Sequence, residues 1–151
     1  MSWYHNVTQN LALLPDFLSY YDNELVAAQQ EVSIKGNIEK NIAALPGITD
    51  LRFSQLQTVE AVLNFLNLEL KKVKSSYFKK YLENYQRALS SRDVDRYVEG
   101  EKEVIDTEML CNEVALLRNR YLAVMKGLES KNFMLGHLVR LKVSGMEDFS
   151  V

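Results

Sequence analysis

Cysteine and histidine are scarce in these 151 residues, and each scarcity excludes something. Cys111 stands alone, so no intrachain disulfide can form, and no histidine lies near it to serve as the base of a thiol nucleophile. A reducing cytoplasm is the expected compartment. Neither His5 nor His137 is preceded by glutamate at the Glu-x-x-His spacing of a carboxylate-bridged di-metal bundle, so no metal is expected. The six glycines are scattered, with neither a phosphate-binding loop nor a Gly-x-Gly-x-x-Gly run. No apolar stretch approaches the ~20 residues of a bilayer span, and Met1-Ser2-Trp3-Tyr4-His5 lacks the basic start and apolar run of an export signal. The expectation is an unexported protein, without membrane association, cofactor or enzymatic activity.

What the chain has is charge in blocks. Formal net charge is only minus 2, yet residues 1–69 carry 3 basic and 8 acidic side chains, and residues 70–92 carry 7 basic against the single Glu83. Residues 93–117 reverse the sign with 2 basic and 8 acidic groups, and residues 118–142 reverse it again with 6 basic and 1 acidic. Fields of this size attract a polyanion, or match helices and subunits to one another, whatever the average charge.

Apolar spacing is helical throughout, which predicts an all-α fold of long helices with heptad seams, a bundle completed by homo-oligomerisation. Pro15-Asp16 reads as a helix start, and Phe17, Leu18, Tyr21, Leu25 and Ala28 begin a stripe that continues through Ile34, Ile38, Ile42 and Leu45 to a stop at Pro46-Gly47. Leu56, Val59, Leu63, Leu66, Leu70, Val73 and Tyr77 then alternate steps of three and four, in a helix from about Asp50 to Leu89. Ser90 is placed to cap the amide of Asp93 and open a further helix with a bend at Gly100. In that helix Leu110, Val114, Leu117, Tyr121, Val124 and Leu128 form a second seam, assigned to subunit assembly. A last segment runs from Lys131 to Val143 and stops at Ser144-Gly145. The expected division is a helical segment 1–45 of unclear role, a helical domain 46–145 and a flexible tail 146–151.

The segment from Lys71 to Leu82 is the sharpest chemical signal. Lys71, Lys72, Lys74, Lys79 and Lys80 interleave with Phe78 and Tyr81, and Arg87 follows. Cations for phosphates and rings for unpaired bases suit single-stranded nucleic acid, with stacking worth ~1–3 kcal/mol per base. The competing reading is a solvated helix flank that pairs with the acidic stretch 93–108. That stretch, placed just after the lysines, can fold against them as an electrostatic gate. The second basic block, from Arg118 to Lys142, reads as a register-setting flank between helices or subunits.

Three stretches also carry a resemblance. Phe78-Lys79-Lys80-Tyr81-Leu82-Glu83-Asn84-Tyr85, then Asp95-Arg96-Tyr97-Val98-Glu99-Gly100-Glu101, then Leu128-Glu129-Ser130-Lys131-Asn132-Phe133 with His137, resemble in order and spacing the UvsY family of recombination mediators of T4-type bacteriophages. The likeness covers roughly residues 46–145. It implies an oligomeric helical protein, in the cytoplasm of an infected bacterial host, with three kinds of partner besides itself. These are single-stranded DNA, the phage single-strand-binding protein and the phage RecA-like recombinase, which it helps to load. The family's DNA-binding pattern Leu-Lys-x-Arg-Leu falls on Phe78-Lys79-Lys80-Tyr81-Leu82. Lys79 matches, whereas the arginine position is Tyr81, so the second cation comes from Lys80 or from Lys71, Lys72 and Lys74. The family assembles through its C-terminal helices, in agreement with the seam from Leu110 to Leu128. The rival is a structural or adaptor coiled-coil protein that binds no nucleic acid.

Overall fold

A computed structural model describes residues 2–84 and 89–145; Arg87 and the tail 146–151 lie outside the described residues. Those described form five helices and no strand: α1 (Trp3–Gln9), α2 (Leu14–Val32) reached through a short 3-10 turn (Leu11–Leu13), α3 (Ile38–Asn84), α4 (Ser91–Glu99) and α5 (Lys102–Val143). The all-α expectation holds.

Three helix boundaries differ from the sequence reading. The break falls at residues 33–37 and not at Pro46-Gly47. Gly36 takes a φ of 78°, which other residues adopt only with strain, and the Asn37 side chain accepts the Lys40 N–H at 3.1 Å as an N-cap. Pro46 is carried inside α3, exposed to solvent, where water can serve the Ile42 carbonyl that proline leaves without a donor. At Gly100 the chain does not merely bend: α4 ends there, with the Gly100 and Glu101 N–H groups turning back to Arg96 and Val98 carbonyls at 3.3 and 3.1 Å. The segment from Lys131 onward is continuous with α5. Ser90 does cap α4, accepting the Asp93 N–H at 3.3 Å.

The chain divides into two compact units, Met1–Val59 with Leu117–Val151, and Glu60–Leu116. The expected boundary at 45/46 falls within α3, inside the first unit.

In the first unit α2 lies on the first part of α3 and the second part of α5. Phe17, Tyr21, Leu25 and Ala28 recur along one face of α2 and are buried. Trp3 packs edge-on to Phe17 with ring centroids 6.2 Å apart, which gives the N-terminal helix a place in this core. Tyr121 is fully buried and its hydroxyl donates to the Tyr21 carbonyl, with Gln55 Oε1 also at 3.2 Å. Beside it Arg52, 3% exposed, donates to Glu24 at 2.8 Å and to both oxygens of Glu31 at 2.7 and 2.9 Å. Glu24 also accepts from Gln55, and this bond and then Arg52 hold its carboxyl below the usual range against the opposing effect of burial. Lys131 donates to the Glu31 carbonyl at 2.7 Å and Arg120 meets Asp22 at 2.6 Å, so α5 grips α2 at two levels.

The second unit packs α4 and the start of α5 on the second part of α3. Val94 and Val98, one helical turn apart, join Val104 in a buried cluster against Leu70, Val73, Tyr77, Phe78, Tyr81 and Leu89. Each such valine contributes on the order of 1.5–3 kcal/mol. Cys111 is buried, and burial followed by the nearby Glu108 charge pushes its thiol pKa up, away from reactivity.

Of the seam assigned to subunit assembly, Val114, Leu117, Tyr121, Val124 and Leu128 are at most 4% exposed within the single chain. Their apolar surface is covered by the chain's own helices and is not available to a second copy. Leu110, 37% exposed, is the exception in that set.

Helix α5 contains two glycines in contrasting surroundings. A Cβ at Gly127 would sit 2.7 Å from Val32 Cγ1, whereas one at Gly136 meets nothing within 4 Å. Gly136→Ala should therefore raise stability in urea denaturation by about 0.5–1 kcal/mol. Gly127→Ala should instead lose about 1–3 kcal/mol through overpacking. Equal gains at both positions would contradict the close approach of α2 to α5.

Candidate nucleic-acid interface

The lysine-rich part of α3 has one face in the core and one in water. At 100° per residue, Lys71, Ser75, Lys79, Lys72, Ser76 and Lys80 sweep a continuous arc, and all six are exposed. Leu70, Val73, Tyr77 and Tyr81 occupy the opposite arc and pack on the valine cluster. The free face thus carries four ammonium groups and two hydroxyls, with the carboxylates of Glu69 and Glu83 at the two ends of the same face.

This arrangement alters the aromatic part of the sequence reading. Phe78 and Tyr81 are half-buried members of the core cluster, not rings set out beside the lysines for stacking. Tyr81 also stacks on Tyr97 of α4, with centroids 5.6 Å apart and planes 21° from parallel. Lys74 sits at the edge of the face and pairs with Glu108 at 3.2 Å.

The acidic stretch folds against α3, but it does not blanket the lysines. Glu103 accepts the Tyr77 hydroxyl at 2.9 Å, and Glu101 accepts the Tyr81 hydroxyl. Among the described residues, Lys74 alone of the five lysines forms an ion pair with this stretch. Lys72 meets Glu69 of its own helix at 2.9 Å while its side chain stays 73% exposed, a surface pair of small energetic weight. Lys80 lies 4.9 Å from the Tyr77 ring centroid in a cation–π contact. Tyrosine pairing was not legible from sequence, since the partners are 20 and 26 residues apart.

Two grooves complete the picture. In the second unit, Lys74, Ser75, Phe78 and Lys79 of α3 face Asp95, Val98 and Glu99 of α4 across a groove of about 630 Å³. In the first unit, a larger apolar groove of about 920 Å³ is lined chiefly by Ile42, Leu45, Phe53, Leu122, Met125 and Leu135, with Asp50, Lys126 and Glu129 also on its walls. Phe53 is 51% exposed there and Ile42 43%. Two of the six cations of the second basic block are structural, as Arg120 and Lys131 tie α5 to α2.

Among the described residues no group of His, Cys, Asp and Glu could hold a metal ion, and no helix is long and apolar enough to cross a membrane.

The hydrogen bond to Glu103, with burial and the charges of Glu103 and Glu101, raises the pKa of Tyr77. Removing the Glu103 charge makes loss of the phenol proton easier. Glu103→Gln should thus shift one tyrosine of the alkaline absorbance titration to lower pH. An unchanged titration curve would contradict the contact.

Compared with protein-family models, curated proteins and solved structures, the chain finds no match.

Proposed function

We propose that this protein binds single-stranded DNA along the exposed face of α3 and acts as a non-enzymatic recombination mediator. In this reading it loads a RecA-like recombinase onto strands covered by a single-strand-binding protein. One observation carries the DNA-binding part: Lys71, Lys72, Lys79 and Lys80 share a solvent face with two serines and outnumber its two carboxylates, Glu69 and Glu83, while Glu101 and Glu103 across the unit are engaged by tyrosines. Ammonium groups spaced along a helix meet successive phosphates of a flexible strand without requiring duplex geometry. The mediator role rests on the resemblance of residues 46–145 to that phage family.

Self-association is part of the proposal. With the seam from Val114 to Leu128 buried in the chain, the support moves to the apolar groove of the first unit, because a monomer seldom leaves rings such as Phe53 in contact with water beside further apolar surface. Its walls carry both signs of charge. A second copy related by a two-fold axis brings its Lys126 toward Asp50 or Glu129 of the first, and the converse. Several linked lysine faces then hold one strand by effective concentration, with no new contact.

Replacing Lys79 and Lys80 together by Ala should weaken binding to a single-stranded oligonucleotide and lower the salt slope by about 1.4, at ~0.7 per phosphate contact. Helicity should not change, as both side chains are exposed. In light scattering the parent should exceed the monomer mass, and Phe53→Glu should reduce it. Unchanged binding by the double variant removes DNA from this face, and a monomeric parent at micromolar concentration removes the avidity argument.

A further inference from the structure

The groove between α3 and α4 has a chemistry that the lysine face lacks. Between the two helices its apolar surface comes chiefly from the accessible part of Phe78, with Val98 almost wholly buried beneath. One wall carries Lys74, Ser75 and Lys79, and the other carries Asp95 and Glu99, one helical turn apart on α4. Asp95 and Glu99 are exposed and form no ion pair among the described residues. If phosphate attraction were the groove's whole purpose, two carboxylates on its wall would work against it. A ligand that suits all three surfaces is flat and apolar on its faces, anionic at one end and rich in hydrogen-bond donors at the other. A nucleotide with an amino-bearing base answers that description.

We propose that this groove receives a single nucleotide of the bound strand and selects bases carrying an exocyclic amino group, with cytosine favoured over thymine; the inference rests on the single-stranded DNA reading above. The phosphate meets Lys79 at the mouth, one edge of the base rests on the accessible part of Phe78, and the amino group donates to Asp95 or Glu99. An ionised carboxylate only accepts hydrogen bonds. Cytosine N4 supplies donors, and carboxylate side chains accept from that amino group in base recognition. Thymine offers only its N3–H, flanked on both sides by carbonyl oxygens that a carboxylate repels. The lysine face stays indifferent to sequence, so the groove adds a composition preference to it.

Binding of fluorescent oligo-dC and oligo-dT of equal length, measured by anisotropy at mildly alkaline pH where oligo-dC stays unfolded, tests this directly. The parent should bind oligo-dC about five-fold or more tightly than oligo-dT, the lower end of what one base contact contributes to discrimination. An Asp95→Asn, Glu99→Gln double variant, with its helicity checked by circular dichroism, should lose that preference and bind oligo-dT more tightly than the parent does. Equal affinities in the parent, or a preference that survives in the double variant, overturns the groove assignment while the DNA-binding reading stands. Binding to neither oligomer at low salt overturns both.

Discussion

The hydrogen bonds from Tyr77 and Tyr81 to Glu103 and Glu101 govern the second unit. A helix with five lysines in ten residues, followed by seven carboxylates between 93 and 108, would ordinarily neutralise itself by pairing acid with base. Here the tyrosines stand on the buried arc of α3, one and two turns beyond Val73, and engage two of those carboxylates. The acidic segment is thereby anchored to α3 while Lys71, Lys72, Lys79 and Lys80 remain turned to water. The Tyr81–Tyr97 stack and the Val94 and Val98 cluster hold α4 beside α3, where Asp95 and Glu99 line the groove with Lys79. The phenol–carboxylate bonds therefore tie the acidic segment to the arc of α3 that faces away from the four lysines.

The first unit is organised by a different polar device. Arg52 is almost wholly buried, and its guanidinium meets Glu24, Glu31 and Gln55 within a core that is otherwise aromatic and aliphatic. Removing one partner from a buried ionic cluster costs about 3–5 kcal/mol, and the partial exposure of both glutamates sets this case toward the lower end. Because Glu24 is held below its usual pKa, its contribution is complete above the ordinary carboxylate range and is lost as pH falls through the depressed value. Apolar contacts alone would let α2 slide along the α3 and α5 surface. The fork of Arg52, with Lys131 on the Glu31 carbonyl, selects one register.

Local information made much of this legible. The rows Phe17-Tyr21-Leu25-Ala28 and Leu56-Val59-Leu63-Leu66 are buried where their spacing puts them, and the Ser90 cap depends only on residues three apart. Pro46-Gly47 is the stronger stop signal in the sequence, yet the break falls at Gly36, followed by the N-capping Asn37, and the exposed Pro46 remains inside the long α3. The row from Val114 to Leu128 is buried as its spacing predicts, but by helices of its own chain. Periodicity identifies a buried face and carries no information on whether the covering helix belongs to the same chain. Arg52 and the tyrosine–glutamate bonds were illegible for the same reason, since their partners lie 20 to 28 residues away. Ser75 and Ser76 could have been found. A helical projection places them among the lysines, where hydroxyls add donors for phosphate.

In the proposed function, four lysines on one face of α3 meet a single strand by counterion release. The most direct test is the affinity of the intact protein for a single-stranded oligonucleotide across a salt series, with the duplex as comparison. The account predicts a linear fall of log affinity with log salt at a slope of about −3 for one protomer's four contacts, steeper when copies act together. The single strand should bind more tightly than the duplex throughout. A flat salt response, or no binding at low salt, would contradict it.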